Sequence, residues 1–184
     1  PQNEPRVLLN EATLLNLIPL DERPEMLFPV FGAANPQNPQ EMLLPMRGNS
    51  GFDSGNQQFL FKLSLSADLA SVDKIELLPT DLSTQGANYS PDGRYIAVGR
   101  FNNNNNSSSS SRSSTWVLLD QTTGQTSDPI TTQAFGLSWS ADGQWFVQNN
   151  DSYLLLRAPA YDDYQYVIPH SLDNCRQIIL SVDE

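Results

Sequence analysis

Apolar residues in this chain come in short runs separated by polar stretches rich in Asn, Asp, Gly, Pro, Ser and Thr, and no long stretch carries a helical period. The runs Arg94 to Phe101 and Gln144 to Asn149 read as strands, and a second strand follows each, at Thr115 to Asp120 and Tyr153 to Arg157. Alternation inside the runs is weak, because Tyr95, Ile96, Ala97 and Val98 are all apolar or aromatic; strands covered on both faces look like that. "DQTTGQ" at 120 to 125 reads as a hairpin turn leading to a weaker strand at Pro129 to Thr132. Upstream, Met42 to Arg47, Gln58 to Leu65 and Lys74 to Leu78 fit the second, third and fourth strands of a similar unit. The first forty residues hold "RVLL", "TLLNLIPL" and "EMLFPVFG", which fit a further unit, a closing strand or an extended arm, while "NPQNP" at 35 to 39 is a loop. Tyr164 to Ile168 and Gln177 to Val182 are further strand candidates, and helix content should be small.

One four-residue phrase is written twice. "ANYSPDGRYIAVGRF" from Ala87 and "GLSWSADGQWFVQNN" from Gly136 align so that Ser90, Asp92 and Gly93 match Ser140, Asp142 and Gly143. Pro91 presets φ for the second position of a type I turn, Asp92 suits the third, and Gly93 takes the left-handed conformation that ends a three-residue hairpin loop. Ala141 in place of Pro91 keeps a compatible φ, so the second copy should turn the same way. Ser90, Pro91, Asp92, Gly93, Ser140, Asp142 and Gly143 therefore serve backbone geometry. Four short strands per copy, repeated at about 40 to 50 residues, is the pattern of a β-propeller blade. The low-complexity segment at 102–114, mostly Asn and Ser, is too polar to offset its ordering entropy and stretches the spacing as a hairpin loop. The fold expected is all-β, a propeller or propeller fragment of about four four-stranded antiparallel blades. Residues 1–40 would form an N-terminal arm or divergent blade and 41–184 the blades.

Composition supports a globular chain, at 39% hydrophobic and 17% charged over 184 residues. The net charge of −11 comes from acidic residues scattered along the chain without a long block, against only two lysines, Lys62 and Lys74. Nucleic acid and anionic membrane surfaces need clustered Lys and Arg, so neither is an expected partner. No apolar stretch is long enough to span a bilayer, so membrane insertion is not expected. The chain begins with Pro1, and a removed export signal would fit an extracytoplasmic setting.

The chemistry on offer is sparse. Cys175 is the single cysteine and reads as a buried thiol; His170 is the single histidine, so paired-His metal sites are excluded and no metal or cofactor is expected. A Ser/His/Asp set around His170 lacks a GxSxG elbow, and no catalytic residue is assigned. Asp162 and Asp163, flanked by Tyr161 and Tyr164, lack the spaced oxygen ligands of a calcium loop; they read as a solvated turn and as a candidate partner surface. Trp116, Trp139 and Trp145 fall in strands and read as core. Asn88, Asn105, Asn106 and Asn150 stand in glycosylation triplets that Asn-rich sequence also generates by chance.

The phrases "YSPDGRYIAV" and "WSADGQWFV" resemble the WD-like propeller repeat of TolB-type proteins and of the propeller domains of prolyl-oligopeptidase-type enzymes. The likeness covers about 25 residues directly. It implies a non-enzymatic module for protein–protein interaction, in an exported or envelope-associated assembly. It also admits a regulatory, substrate-gating propeller of a hydrolase whose catalytic domain lies outside this chain.

Overall fold

The computed structural model describes residues 7–30, 32–49, 57–78, 86–102, 113–132, 137–149, 153–159 and 161–169, which fall in two compact units, Pro1–Ala87 and Asn88–Glu184. Among the described residues there are thirteen strands and one short helix.

The first unit begins with helix α1 (Glu11–Leu15), followed by β1 (Met26–Pro29), β2 (Ala33–Ala34), β3 (Glu41–Asn49), β4 (Gln57–Leu65) and β5 (Val72–Leu77). The strands form one antiparallel sheet in the order β1-β3-β4-β5, with β2 also on β3. β1 and β2 lie end to end along β3, Pro29 opposite Met46 and Ala33 opposite Leu43. Four steps on one strand thus match three on the other, the mark of a bulge. The pair is a single broken strand, and the sheet has four lanes. "EMLFPVFG" and the alanines after it are therefore the first lane of the sheet that continues through 41–77.

The helix is the element that strand periodicity does not reveal. Asn10 caps it, its Oδ1 accepting the Thr13 N–H at 2.9 Å. Leu14 and Ile18, four residues apart, bury against Leu27, Met46, Phe59, Phe61 and Leu63 on one face of the sheet. The Glu11 carboxylate accepts the Leu27 N–H at 2.7 Å, which satisfies a backbone donor of β1 that β3 does not reach. At one turn, α1 is stable only through this packing.

The second unit holds β6 (Gly86–Tyr89), whose first residues lie at the unit boundary, then β7 (Tyr95–Asn102), β8 (Ser113–Asp120) and β9 (Ile130–Thr132) in one antiparallel sheet. β10 (Ser138–Trp139), β11 (Phe146–Asn149), β12 (Tyr153–Ala158) and β13 (Tyr161–Pro169) form another. In both, each strand pairs with the next in sequence, the W-shaped blade expected from the repeat. The β7–β8 ladder runs out to Asn102 opposite Ser113, so it reaches into both ends of the polar segment; residues 103–112 lie outside those described.

The two sheets of this unit share a core. Tyr95, Ala97, Trp116, Leu118 and Ile130 pack with Leu137 and Phe146, and Trp139 covers the cluster from its edge. Trp139 stacks on Tyr95, with centroids 6.2 Å apart and planes at 15°, and meets Phe146 at 5.6 Å. Ile96 and Val98 face the other way from Ala97 and are buried as well, the physical reason that β7 shows no alternation. Gly99 lies under the Trp116 ring, where a Cβ would come within 2.5 Å of it. Trp116 and Trp139 thus serve the core.

Candidate functional site at the turn end of the second unit

Ser90 and Ser140 are buried, and each organises its turn through both backbone and hydroxyl. The Ser90 amide donates to the Tyr95 carbonyl at 2.9 Å and the Gly93 amide to the Ser90 carbonyl at 2.8 Å. The Ser90 hydroxyl donates to Asp92 Oδ1 at 2.5 Å and accepts the Tyr95 N–H at 2.9 Å, while Asp92 Oδ1 also accepts the Arg94 N–H at 3.1 Å. The second copy repeats this, with Ser140 Oγ to Asp142 Oδ1 at 2.5 Å, Trp145 N to Ser140 Oγ at 3.0 Å and Gln144 N to Asp142 Oδ1 at 3.0 Å. Gly93 and Gly143 take φ of 71° and 72°, open to glycine without steric cost. Pro91 and Ala141 hold equivalent places. The serine hydroxyls and Asp carboxylates are committed to the backbone, so these residues build a hairpin and present no nucleophile.

A third copy of this turn is hidden in the first unit. Ser66 Oγ donates to Asp68 Oδ1 at 2.7 Å and accepts the Ser71 N–H at 3.0 Å, and the Ser66 amide reaches the Ser71 carbonyl at 3.0 Å. Leu69 occupies the glycine position at φ 56°. Sequence reasoning keyed on Asp-Gly passes over it; the Ser-x-Asp spacing alone would have found it. An L residue in this region costs about 1–2 kcal/mol, against about 0.4–1 kcal/mol for the added freedom of an unfolded glycine. Leu69→Gly is therefore expected to stabilise the chain by up to about 1 kcal/mol, since Leu69 is 47% exposed and little packing is lost. Urea denaturation of the two proteins checks this, and a loss of stability would contradict it.

Ser90→Ala removes the buried acceptor of the Tyr95 amide and is expected to cost about 1–3 kcal/mol. Ser140→Ala should cost a similar amount and Ser66→Ala less, because Ser66 is only partly buried. Equal midpoints in chemical denaturation for all three would refute that order.

The turn end of the first sheet in this unit is tied down further. Arg94 reaches Asp120 Oδ2 with Nη2 at 2.8 Å and Nε at 3.3 Å, and its guanidinium lies 5.0 Å from the Tyr95 ring centroid. Gln121 Nε2 donates to the Gly93 carbonyl at 2.6 Å. The hydrogen bond from Arg94 holds the Asp120 carboxyl below the usual carboxylate range, and the Ser140 hydroxyl does the same for Asp142. A depressed folded-state pKa means that each group adds stability above its unfolded value of 3.8 and loses it as pH falls through the lower folded value. As pH falls below about 4 the wild-type chain should lose stability, and Asp120→Asn should lose less over the same interval; parallel acid curves would contradict this assignment. The turns of the two sheets also touch: a Cβ on Gly143 would sit 2.8 Å from Asp92 Cγ and 3.0 Å from its amide nitrogen.

Two further features lie at or near this end. A cleft of about 200 Å³ opens in the seam between the sheets, with Leu118, Pro129, Ile130 and Phe146 as apolar wall and Asp128 and Arg157 as charged residues. Arg157 is half-buried, its guanidinium 5.8 Å from the Phe146 centroid and its Nη1 3.4 Å from Gln148 Oε1. Gln148 Nε2 in turn donates to the Thr131 carbonyl. The sequence gives no sign of this cleft, because its walls come from four strands and the turns beside them.

The second feature is β13, the outer lane of its sheet. Arg157 pairs with Gln165 and Ala158 with Tyr161, so Asp162, Asp163 and Tyr164 stand in a bulge of that strand between two paired positions. Beyond it Tyr166, Val167 and Ile168 are 53%, 60% and 48% exposed. Trp145, partly buried, meets the Tyr166 ring at 5.9 Å, edge to face. Asn88 lies in β6, with its Oδ1 buried and without a hydrogen-bond partner. His170, Cys175, Asn105, Asn106, Asn150 and the strand candidate at 177–182 lie outside the described residues. Among those described, no group of three or more His, Cys, Asp or Glu could hold a metal ion, and no helix is long and apolar enough to cross a membrane.

No protein-family model matches the chain, and no curated protein matches it at a significant level. Among solved structures it is similar to the β-propeller domain of the Trilobed protease from Pyrococcus furiosus, with TM-score 0.48 and 12% identity over 79% of this chain and 44% of that one. It is also similar to Kuenenia stuttgartiensis hydrazine synthase, with TM-score 0.39 and 10% identity over 69% of this chain and 39% of the other. The chain therefore spans under half the length of either.

Proposed function

We propose that this chain is a non-enzymatic, blade-built module that binds another protein, with β13 as its docking strand. The observation that carries the reading is the run Tyr166, Val167 and Ile168. Three successive residues on a strand point to alternate faces, and all three are about half exposed or more. β13 pairs with β12 on one side and with no described strand on the other. The exposed apolar stretch at 166–168, bounded by the acidic pair at 162–163 and by Pro169, is a template for pairing with a short extended segment. Main-chain bonds along the edge would supply affinity and the exposed side chains specificity. The bulge at Asp162 to Tyr164 marks where such pairing would end. Likeness to the TolB-type repeat, in whose families the blade-edge loops and the central funnel bind partner proteins, supports a protein-binding role in general and its exported or envelope-associated setting.

The test compares the full chain with a Val167→Lys/Ile168→Lys variant, which charges the edge without touching a buried residue. Both should melt alike; the wild type should retain a specific protein from its source extract, and the variant should lose it. Retention of the same protein by both, or of nothing by either, would sink the reading.

A further inference from the structure

We propose that the seam cleft at Arg157 binds a monocarboxylate with a short apolar body. Lys62, Lys74 and Arg94 each pair with a carboxylate, at 3.0, 3.1 and 2.8 Å. Among the residues whose side chains are described, which do not include Asp162 and Asp163, no carboxylate lies within ion-pair distance of Arg157. Its one hydrogen bond there, to Gln148 Oε1 at 3.4 Å, is long and engages one of five donors. None of its nitrogens is among the described buried side-chain atoms that lack a partner, so its remaining donors are open to an acceptor that enters the cleft.

The geometry fits such an anion. The guanidinium carbon lies 5.8 Å from the Phe146 ring centroid, and the N–H groups of a guanidinium lie in its own plane, the arrangement that takes a carboxylate with two parallel hydrogen bonds. Gln148 donates to the Thr131 carbonyl and accepts from Arg157. Leu118, Pro129, Ile130 and Phe146 offer apolar surface to the body of the ligand, and Asp128 on the same cleft disfavours a second negative charge. A volume of about 200 Å³ is below the ~300–1,000 Å³ of drug-sized sites, which sets the occupant at one side chain or a small acid. The carboxylate could be the C-terminus of a peptide ending in an apolar residue or a free acid. The chemistry at Arg157 is the same.

The experiment titrates N-acetyl-leucine and N-acetyl-leucinamide into the full chain, following the methyl resonances of Leu118 and Ile130. The acid should bind saturably, with a dissociation constant on the order of millimolar for a ligand of this size, and the neutral amide at least about 10-fold more weakly. Arg157→Gln should weaken the acid about 10-fold or more, and Arg157→Lys less. A tetrapeptide ending in leucine distinguishes the source: tighter binding than N-acetyl-leucine points to a partner's C-terminus, equal binding to a free acid. Equal binding of acid and amide, no saturable shift with the wild-type chain, or full affinity in a folded Arg157→Gln variant would overturn the proposal. The acid-to-amide comparison needs no variant, so it decides the matter even if Arg157→Gln fails to fold.

Discussion

Replacing Phe146 with alanine is expected to destabilise the second unit by about 3–5 kcal/mol, the range for deleting a buried phenylalanine. Phe146 is 1% exposed, lies against the Trp139 ring, and joins a cluster built from both sheets of the unit. Its loss opens a cavity in the seam that short strands on either side can close only in part, because β10 has two residues and β11 four. At about 4–8 °C per kcal/mol for a unit of this size, the melting temperature should fall by ten degrees or more. The near-ultraviolet circular dichroism of Trp139 should weaken with it. A loss under about 1 kcal/mol in urea, with unchanged aromatic signal, would show that the two sheets are not held together by this cluster.

Gly143→Ala is expected to cost about 2–4 kcal/mol, and Gly124→Ala only about 1–2 kcal/mol. Both glycines sit at φ near 70°, so an alanine meets the same left-handed penalty in each. Space separates them. Nothing lies within 4 Å of a Cβ on Gly124, whereas one on Gly143 would strike Asp92 at Cγ, Oδ1 and the amide nitrogen. The excess is the overpacking term, which runs to about 1–3 kcal/mol where backbone cannot give way. Asp92→Ala should relieve part of it, so the double variant should lose less than the sum of the singles. Equal losses for the two glycines would mean that the turns of the adjacent sheets do not touch in solution.

Local chemistry made much of this chain legible. The Ser-x-Asp-Gly phrase contains within six residues every group its turn uses, since the hydroxyl, the carboxylate and the amides they bind are neighbours in sequence. The strands at 57–65, 95–102, 113–120 and 153–158 are legible for a similar reason, being apolar runs bounded by turn residues. The helix at Glu11–Leu15 was not, because five residues are too few to display a period and its stability comes from Leu14 and Ile18 meeting a sheet that follows in sequence. Nor was the turn at Ser66, where Leu69 stands in for the glycine that marks the other copies.

The site divides along the same line. Tyr161 to Tyr164 read as a candidate partner surface from composition, yet the position of 162–164 in a bulge beyond the paired Tyr161 is a matter of register against Arg157 and Ala158. Arg157 drew no notice in sequence, for an arginine in a strand is ordinary until its neighbours are known. By itself the sequence determined a nearly all-β chain of repeated four-strand units, the hairpins that join the first two lanes in the second unit, and a net charge of −11. Only the tertiary structure decided that β1 and β2 share one lane, that Phe146 and Trp139 bind two sheets into one core, and that Arg157 lines a cleft with an apolar wall. Turn geometry is written in adjacent residues, whereas burial and charge pairing depend on residues far apart in the chain that folding brings together.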